Sequence, residues 1–263
     1  MVMRHTELLM YVAPQCVEDA NVAWLRRILE LLGEERLAAD GLSLPELWTS
    51  PRLLLTQTCG YPLMTQLRGQ VRVLGRPDYV LPDSADGWHC SLILARAEDA
   101  RTTLDAFLGS RGAINDAGSN TGMNLFRHRL APLQQGGSFF SSVIHSGSHR
   151  ESLRLLRENQ ADLAAVDSVT YAYLARYAPT EVADLRLIER SAPSPNLPYI
   201  GRANLSDAEA VRVREAMNQA LDDLPQVANI LAIRKVLPAK DDDYRILLDY
   251  QQQAVAQGFA ELR

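Results

Sequence analysis

Ser119, Asn120 and Thr121 stand between two glycines in "GSNTGMN", directly before an apolar run with helical spacing. A turn of this composition at a helix start presents unpaired backbone N–H groups and the positive end of the helix dipole, a combination that suits a tetrahedral oxyanion or a carboxylate. The hydroxyls add donors without demanding a counter-charge. This is not a nucleotide-binding loop of the lysine-bearing kind, because no lysine follows the glycines. The plainer alternative is N-capping, for which Ser, Thr and Asn are the usual residues.

"IHSGSHRESLRLL" makes the same offer a second time, with Ser146, Gly147, Ser148 and His149 opening an amphipathic helix. An imidazolium in the first turn is disfavoured by the helix dipole unless an anion sits beside it. The apolar strand pattern "ADLAAVD" follows and ends on Asp167, at the carboxyl end of a strand, where open α/β sheets bind ligands and where an aspartate can equally cap the helix that follows. Asp167 in the same cleft as His149 would pull the imidazole pKa upward. In the first third, Thr56, Gln57, Thr58, Cys59, Gly60 and Tyr61 hold the corresponding place after "RLLL". Cys59, His149 and Asp167 could instead meet as nucleophile, base and orienting acid, which keeps an enzyme as the rival reading.

These residues need elements to position them. "LLMYVA" reads as a strand, followed by a helix with Val22, Leu25, Ile28, Leu29 and Leu32 on one face and a stop at Gly33. Ser43 with Glu46, and Ser206 with Glu209, have the spacing of capping boxes. "RLLLTQTC", "VRVLG", "CSLILAR", "RGAIN", "FFSSVI" and residues 185–190 read as further strands, with a helix expected around Leu104, Phe107 and Leu108. Alternating strand and helix patterns predict an α/β protein with open, mostly parallel sheets. The proline-rich "APSPNLP" reads as a crossover.

The bulk properties narrow the function classes. The chain of 263 residues, 47% hydrophobic and 22% charged, is long enough for two lobes, and its net charge of -5 argues against nucleic-acid binding. Cys16, Cys59 and Cys90 are far apart without a CxxC pair, so neither a disulfide framework nor a zinc site is indicated. No cofactor motif is present. "MVMRHTELLMYVAP" lacks the pattern of a secretion signal, and no run approaches a membrane span. The chain as it stands therefore reads as cytoplasmic, or as periplasmic if a signal segment was removed.

"PRLLLTQTCGYPL", "GSNTGMN", "FFSSVIHSGSHRESL" and "ADLAAVDSVTYAYL", in this order, resemble the phosphate/phosphite/phosphonate ABC-transporter substrate-binding family, of the type 2 periplasmic-binding, transferrin-like fold. The resemblance spans roughly residues 50–200. It implies a two-lobed clamshell: lobe one over residues 1–95, an inserted lobe two over 96–192, and a return to lobe one over 193–263, with hinges near Arg96 and Ser191. It also implies that Ser119, Thr121 and His149 grip an anion, that Asn120 replaces a hydroxyl, and that Met123 stands where relatives carry an aromatic residue. The expected binding set is Thr56, Gln57, Thr58, Tyr61, Ser119, Asn120, Thr121, Ser148, His149 and Asp167. The function so implied is non-catalytic binding of a small polar, anionic ligand, phosphonate-like or carboxylate, for an ABC transporter permease; an intracellular ligand sensor would share the site.

Overall fold

The computed structural model describes residues 3–263. The chain forms two compact α/β units: unit one takes the chain up to Trp88 and Pro195–Tyr244, and unit two takes His89–Ser194 and Arg245–Arg263. These boundaries correct the expected ones. The first passage comes at 88/89 instead of 95/96, because the apolar strand Ser91–Arg96 pairs with Leu163–Asp167 and Leu185–Arg190 inside unit two. The last 19 residues also belong to unit two, where Leu247 and Phe259 are fully buried and the Ala260 carbonyl accepts from Arg127 Nη1 at 2.6 Å.

Unit one is built on a six-stranded sheet in the order Ile233–Leu237, Val71–Tyr79, Tyr199–Arg202, Leu53–Gln57, Met3–Thr6, Glu35–Leu37. Only the pairings made by Met3–Thr6 are parallel; the others are antiparallel. Unit two has five strands in the order Leu185–Arg190, Ser91–Arg96, Leu163–Asp167, Arg111–Ile114, Ser142–His145, two pairings antiparallel and two parallel. Both sheets are thus mixed, not mostly parallel. Ser91–Arg96 and Tyr199–Arg202 are reached by the chain from the other unit, so no crossover helix within their own unit dictates a parallel direction.

Local signals explain the helices. Gln15–Leu32 buries Val17, Trp24, Leu25, Ile28 and Leu32, and Gly33, at φ 67°, returns its N–H to Glu30 and Leu29 carbonyls, a left-handed stop that glycine adopts at no steric cost. Val22, expected on the buried face, is instead 51% exposed, and Asn21 faces inward to donate to the Tyr11 carbonyl. Ser43 and Ser206 form capping boxes with Glu46 and Glu209, as their spacing predicts. Two further expectations fail. "LLMYVA" is irregular, its Leu8 and Tyr11 buried while Leu9 and Val12 point outward, and the strand is the preceding Met3–Thr6. The helix around Leu104 shrinks to the single turn Leu104–Phe107.

The helix His149–Arg157 buries Leu153, Leu155 and Leu156 against Leu92, Leu94, Ala164, Val166 and Leu174 of unit two. Beneath it, Asp162 accepts from Arg111 Nε and Nη2, both at 2.9 Å, and from the Arg111 N–H, with Arg96 at 3.3 Å. The Arg111 hydrogen bond is the main reason that the Asp162 carboxyl sits well below the usual carboxylate range, against the opposing effect of burial. Because the folded-state pKa is the lower one, this stabilisation is complete above the unfolded value of about 3.9 and fades as pH falls through the folded value. Asp162→Asn is expected to lose about 1–2 kcal/mol at pH 7 and to unfold with a shallower acid limb, as measured by urea titration at several pH values.

Candidate functional site

Unit two brings three helix starts together around one buried polar group. The first is the turn Asn120–Asn124. Ser119 caps it, its Oγ accepting from the Gly122 N–H at 3.0 Å, and its carbonyl accepts from the Asn124 N–H, five residues on, at 3.0 Å. That widened turn continues into Leu125–Leu130. The second is His149–Arg157, whose cap Ser148 accepts from the Glu151 N–H at 3.1 Å. The third is Ser168–Tyr177, capped by Asp167, whose Oδ1 accepts from the Val169 and Thr170 N–H groups at 2.9 and 3.1 Å.

Thr121 Oγ1 and His149 Nε2 lie 3.0 Å apart, so the first two starts meet side chain to side chain. Gly122 makes this approach possible: a Cβ there would stand 1.8 Å from Asn115 Oδ1 and 3.1 Å from His149 Cε1. Gly122→Ala is therefore expected to push Asn115 and the imidazole aside and to weaken anion affinity about tenfold without unfolding the protein, as calorimetric titration would register.

Asp167 is nearly inaccessible, and its Oδ2 lies 3.2 Å from Nε2 of the fully buried His89 ring. His89 Nδ1 is 3.1 Å from the Ser194 carbonyl, which can only accept, so Nδ1 carries a proton. Burial raises the Asp167 pKa, but His89, then His149, and the Thr170 N–H outweigh it and leave the carboxyl below its ordinary value. For His149 the balance goes the other way. Burial lowers the imidazole pKa, Asp167 raises it and His89 lowers it, and the net direction is down. The expectation that Asp167 would lift the empty-state value thus has the sign of one interaction right and the outcome wrong: desolvation wins. The ring is neutral at pH 7, with one nitrogen able to accept and one to donate.

Of the expected binding residues, Ser119, Thr121, Ser148, His149 and Asp167 are brought together in unit two. Asn120 is corrected: its side chain is 1% exposed and turned inward, donating to Ser194 Oγ at 2.8 Å. Met123, on the same turn, is buried. Thr56, Gln57, Thr58 and Tyr61 are all buried in unit one, where Gln57 Nε2 donates to the Leu197 carbonyl and the Thr58 N–H to that of Pro198. Cys59 belongs to unit one as well. His89 and Asn115 escaped the sequence reading. His89 has no motif, and only the antiparallel register that sets Asp167 opposite Ser91 carries it to the carboxylate.

Two mixed-sheet α/β units joined by chain crossings are the fold of solved periplasmic binding proteins. Residues 53–244 match the family described as ABC transporter, phosphonate, periplasmic substrate-binding protein, and the chain belongs to that family. No curated protein matches it in sequence. Among solved structures, the chain is similar to the binding protein component of an ABC phosphonate transporter from Pseudomonas aeruginosa, with TM-score 0.80 and 18% identity over 97% of this chain and 88% of that one. It is similar too to a Prochlorococcus marinus protein in complex with methylphosphonate, with TM-score 0.75 and 12% identity over 95% and 97% of the two chains. A Xanthomonas citri protein bound to chloride superposes with TM-score 0.69 and 16% identity over 98% of each. The family is one of binding components, not enzymes, which sets the catalytic trio aside. Among the described residues no helix is long and apolar enough to cross a membrane.

Proposed function

We propose that unit two binds the anionic head of a small phosphonate-like ligand at Thr121 and His149, with the Ser119 and Ser148 hydroxyl protons and the helix-start amides as further donors. The observation that carries the reading is the 3.0 Å meeting of Thr121 and His149 at two helix starts, a hydroxyl and an imidazole that can each donate. Asp167 turns Oδ1 to two backbone amides and Oδ2 to His89. The family supports a periplasmic place of action and delivery of the ligand to an ABC transporter permease.

Calorimetric titration with methylphosphonate, inorganic phosphate and acetate tests the reading. Methylphosphonate and phosphate should bind with one-to-one stoichiometry and acetate more weakly, since a carboxylate offers two oxygens where a phosphonate offers three. Absence of binding by all three anions to the wild-type protein would sink the assignment.

A further inference from the structure

The turn that carries Thr121 is bonded to each of the three places where the chain passes between its units. Ser91, just after the first passage, donates from Oγ to the Thr121 carbonyl at 2.8 Å. Ser194, at the second, accepts from Asn120 Nδ2 at 2.8 Å. Leu247, just after the third, accepts through its carbonyl from Asn124 Nδ2 at 3.0 Å. The passages are also joined to one another, His89 Nδ1 to the Ser194 carbonyl at 3.1 Å and the Tyr250 hydroxyl to the Pro193 carbonyl at 3.0 Å.

The direction of this network follows from one residue that can only donate. Arg127 is 4% exposed and gives Nη2 to Asn124 Oδ1 at 2.9 Å, which fixes which end of the Asn124 amide is oxygen. Asn124 must then donate from Nδ2, both to Leu247 and to Asn120 Oδ1 at 3.3 Å. Asn120 is left with its own Nδ2 to give to Ser194. A hydroxyl in place of Asn120 could not span both partners with an oxygen at one end and a nitrogen at the other. Both asparagines are buried, where a polar group that loses its partner has no water to replace it.

We infer that Asn120 is a positioning residue that couples the anion-holding turn to the chain passages, through Ser194 and, by way of Asn124, Leu247. The part that concerns the ligand rests on the reading of Thr121 and His149 as anion contacts. A shift of the turn when an anion arrives is passed to all three passages, and by the reciprocity of linked equilibria the state of the passages sets the affinity of the turn. Asn120 thereby affects binding without touching the ligand.

Hydrogen–deuterium exchange of the full chain decides this, with and without methylphosphonate, on the wild type, Asn120→Ala and Ser194→Ala. In the ligand-free variants, amides near residues 89–91, 193–196 and 246–250 should exchange about tenfold faster while those of the unit-one strand Leu53–Gln57 keep their wild-type rates. With methylphosphonate, the slowing of these passages seen in the wild type should be lost, and affinity should fall about tenfold. Passage amides that exchange at wild-type rates in both variants, or an acceleration spread evenly over both units, would overturn the inference. Ser194→Ala leaves the turn's own bonds in place and decides the matter if Asn120→Ala does not fold. A wild type that binds no anion would sink the ligand assignment and the ligand-dependent coupling together, and the ligand-free exchange rates would still decide whether Asn120 ties the turn to the passages.

Discussion

Asp167→Ala is expected to destabilise the protein by about 3–5 kcal/mol at pH 7, the cost of leaving two backbone amides and an imidazole buried without their partner. The carboxylate serves two groups at once. Its Oδ1 satisfies two backbone amides at the start of Ser168–Tyr177, and its Oδ2 faces the fully buried His89 ring. Alanine leaves both amides and an imidazole without the group that offsets their desolvation, at a site with almost no access to water. Asp167→Asn keeps an acceptor for the helix start and loses only the charge, and should cost about 1–3 kcal/mol. The sign of the pH dependence follows from the direction of the pKa. The folded-state value lies below the unfolded one of about 3.9, so the carboxylate's contribution is full above that pH and drains away as pH falls through the folded value. Urea denaturation at pH 7 and at pH 4 should show the gap between wild type and Asp167→Asn narrowing in acid. Equal midpoints for all three proteins at pH 7 would mean that Asp167 is an ordinary cap.

What the sequence makes legible is local, and what it conceals depends on register and on where the chain crosses. The capping boxes, the glycine stop at Gly33 and the hydroxyl-rich starts at Ser119 and Ser148 are each written within four or five residues, and each forms as spacing predicts. The motifs that resemble the substrate-binding family are of the same short-range kind. His89 is different. It reaches Asp167 across 78 residues, through a pairing of Leu163–Asp167 with Ser91–Arg96 that apolar runs without alternation leave unspecified. The direction of the sheets is hidden for the same reason, since an apolar strand reads alike whether its neighbours are parallel or antiparallel. Asn120 shows a further limit: a polar residue in a hydroxyl-rich turn looks the same in sequence whether it faces outward or into the protein. Only the inward bonds to Ser194 and Asn124 distinguish the two.

Anion affinity should rise as pH falls from about 8 to about 6, in a window around the ordinary imidazole value of about 6.5, and His149→Gln should remove that dependence. In the empty protein burial holds the His149 pKa down, with Asp167 pulling up and His89 pushing down, so the ring is neutral at pH 7. An oxyanion beside Thr121 adds a negative charge next to that ring and raises its pKa. Between the lowered free value and the raised bound value, binding takes up a proton, and affinity gains up to about tenfold per pH unit. Below the free value the ring is already charged and the gain stops. Thr121→Ala removes a donor to a charged group and should weaken binding by about 10–100-fold at every pH. Thr121 and His149 touch at 3.0 Å, so the double variant should lose less than the product of the single losses. Titration calorimetry in buffers of different ionisation enthalpy separates the ligand's own protonation, common to all variants, from that of the imidazole. Equal proton uptake by wild type and His149→Gln would make His149 a helix-start residue that plays no part in holding the anion's charge.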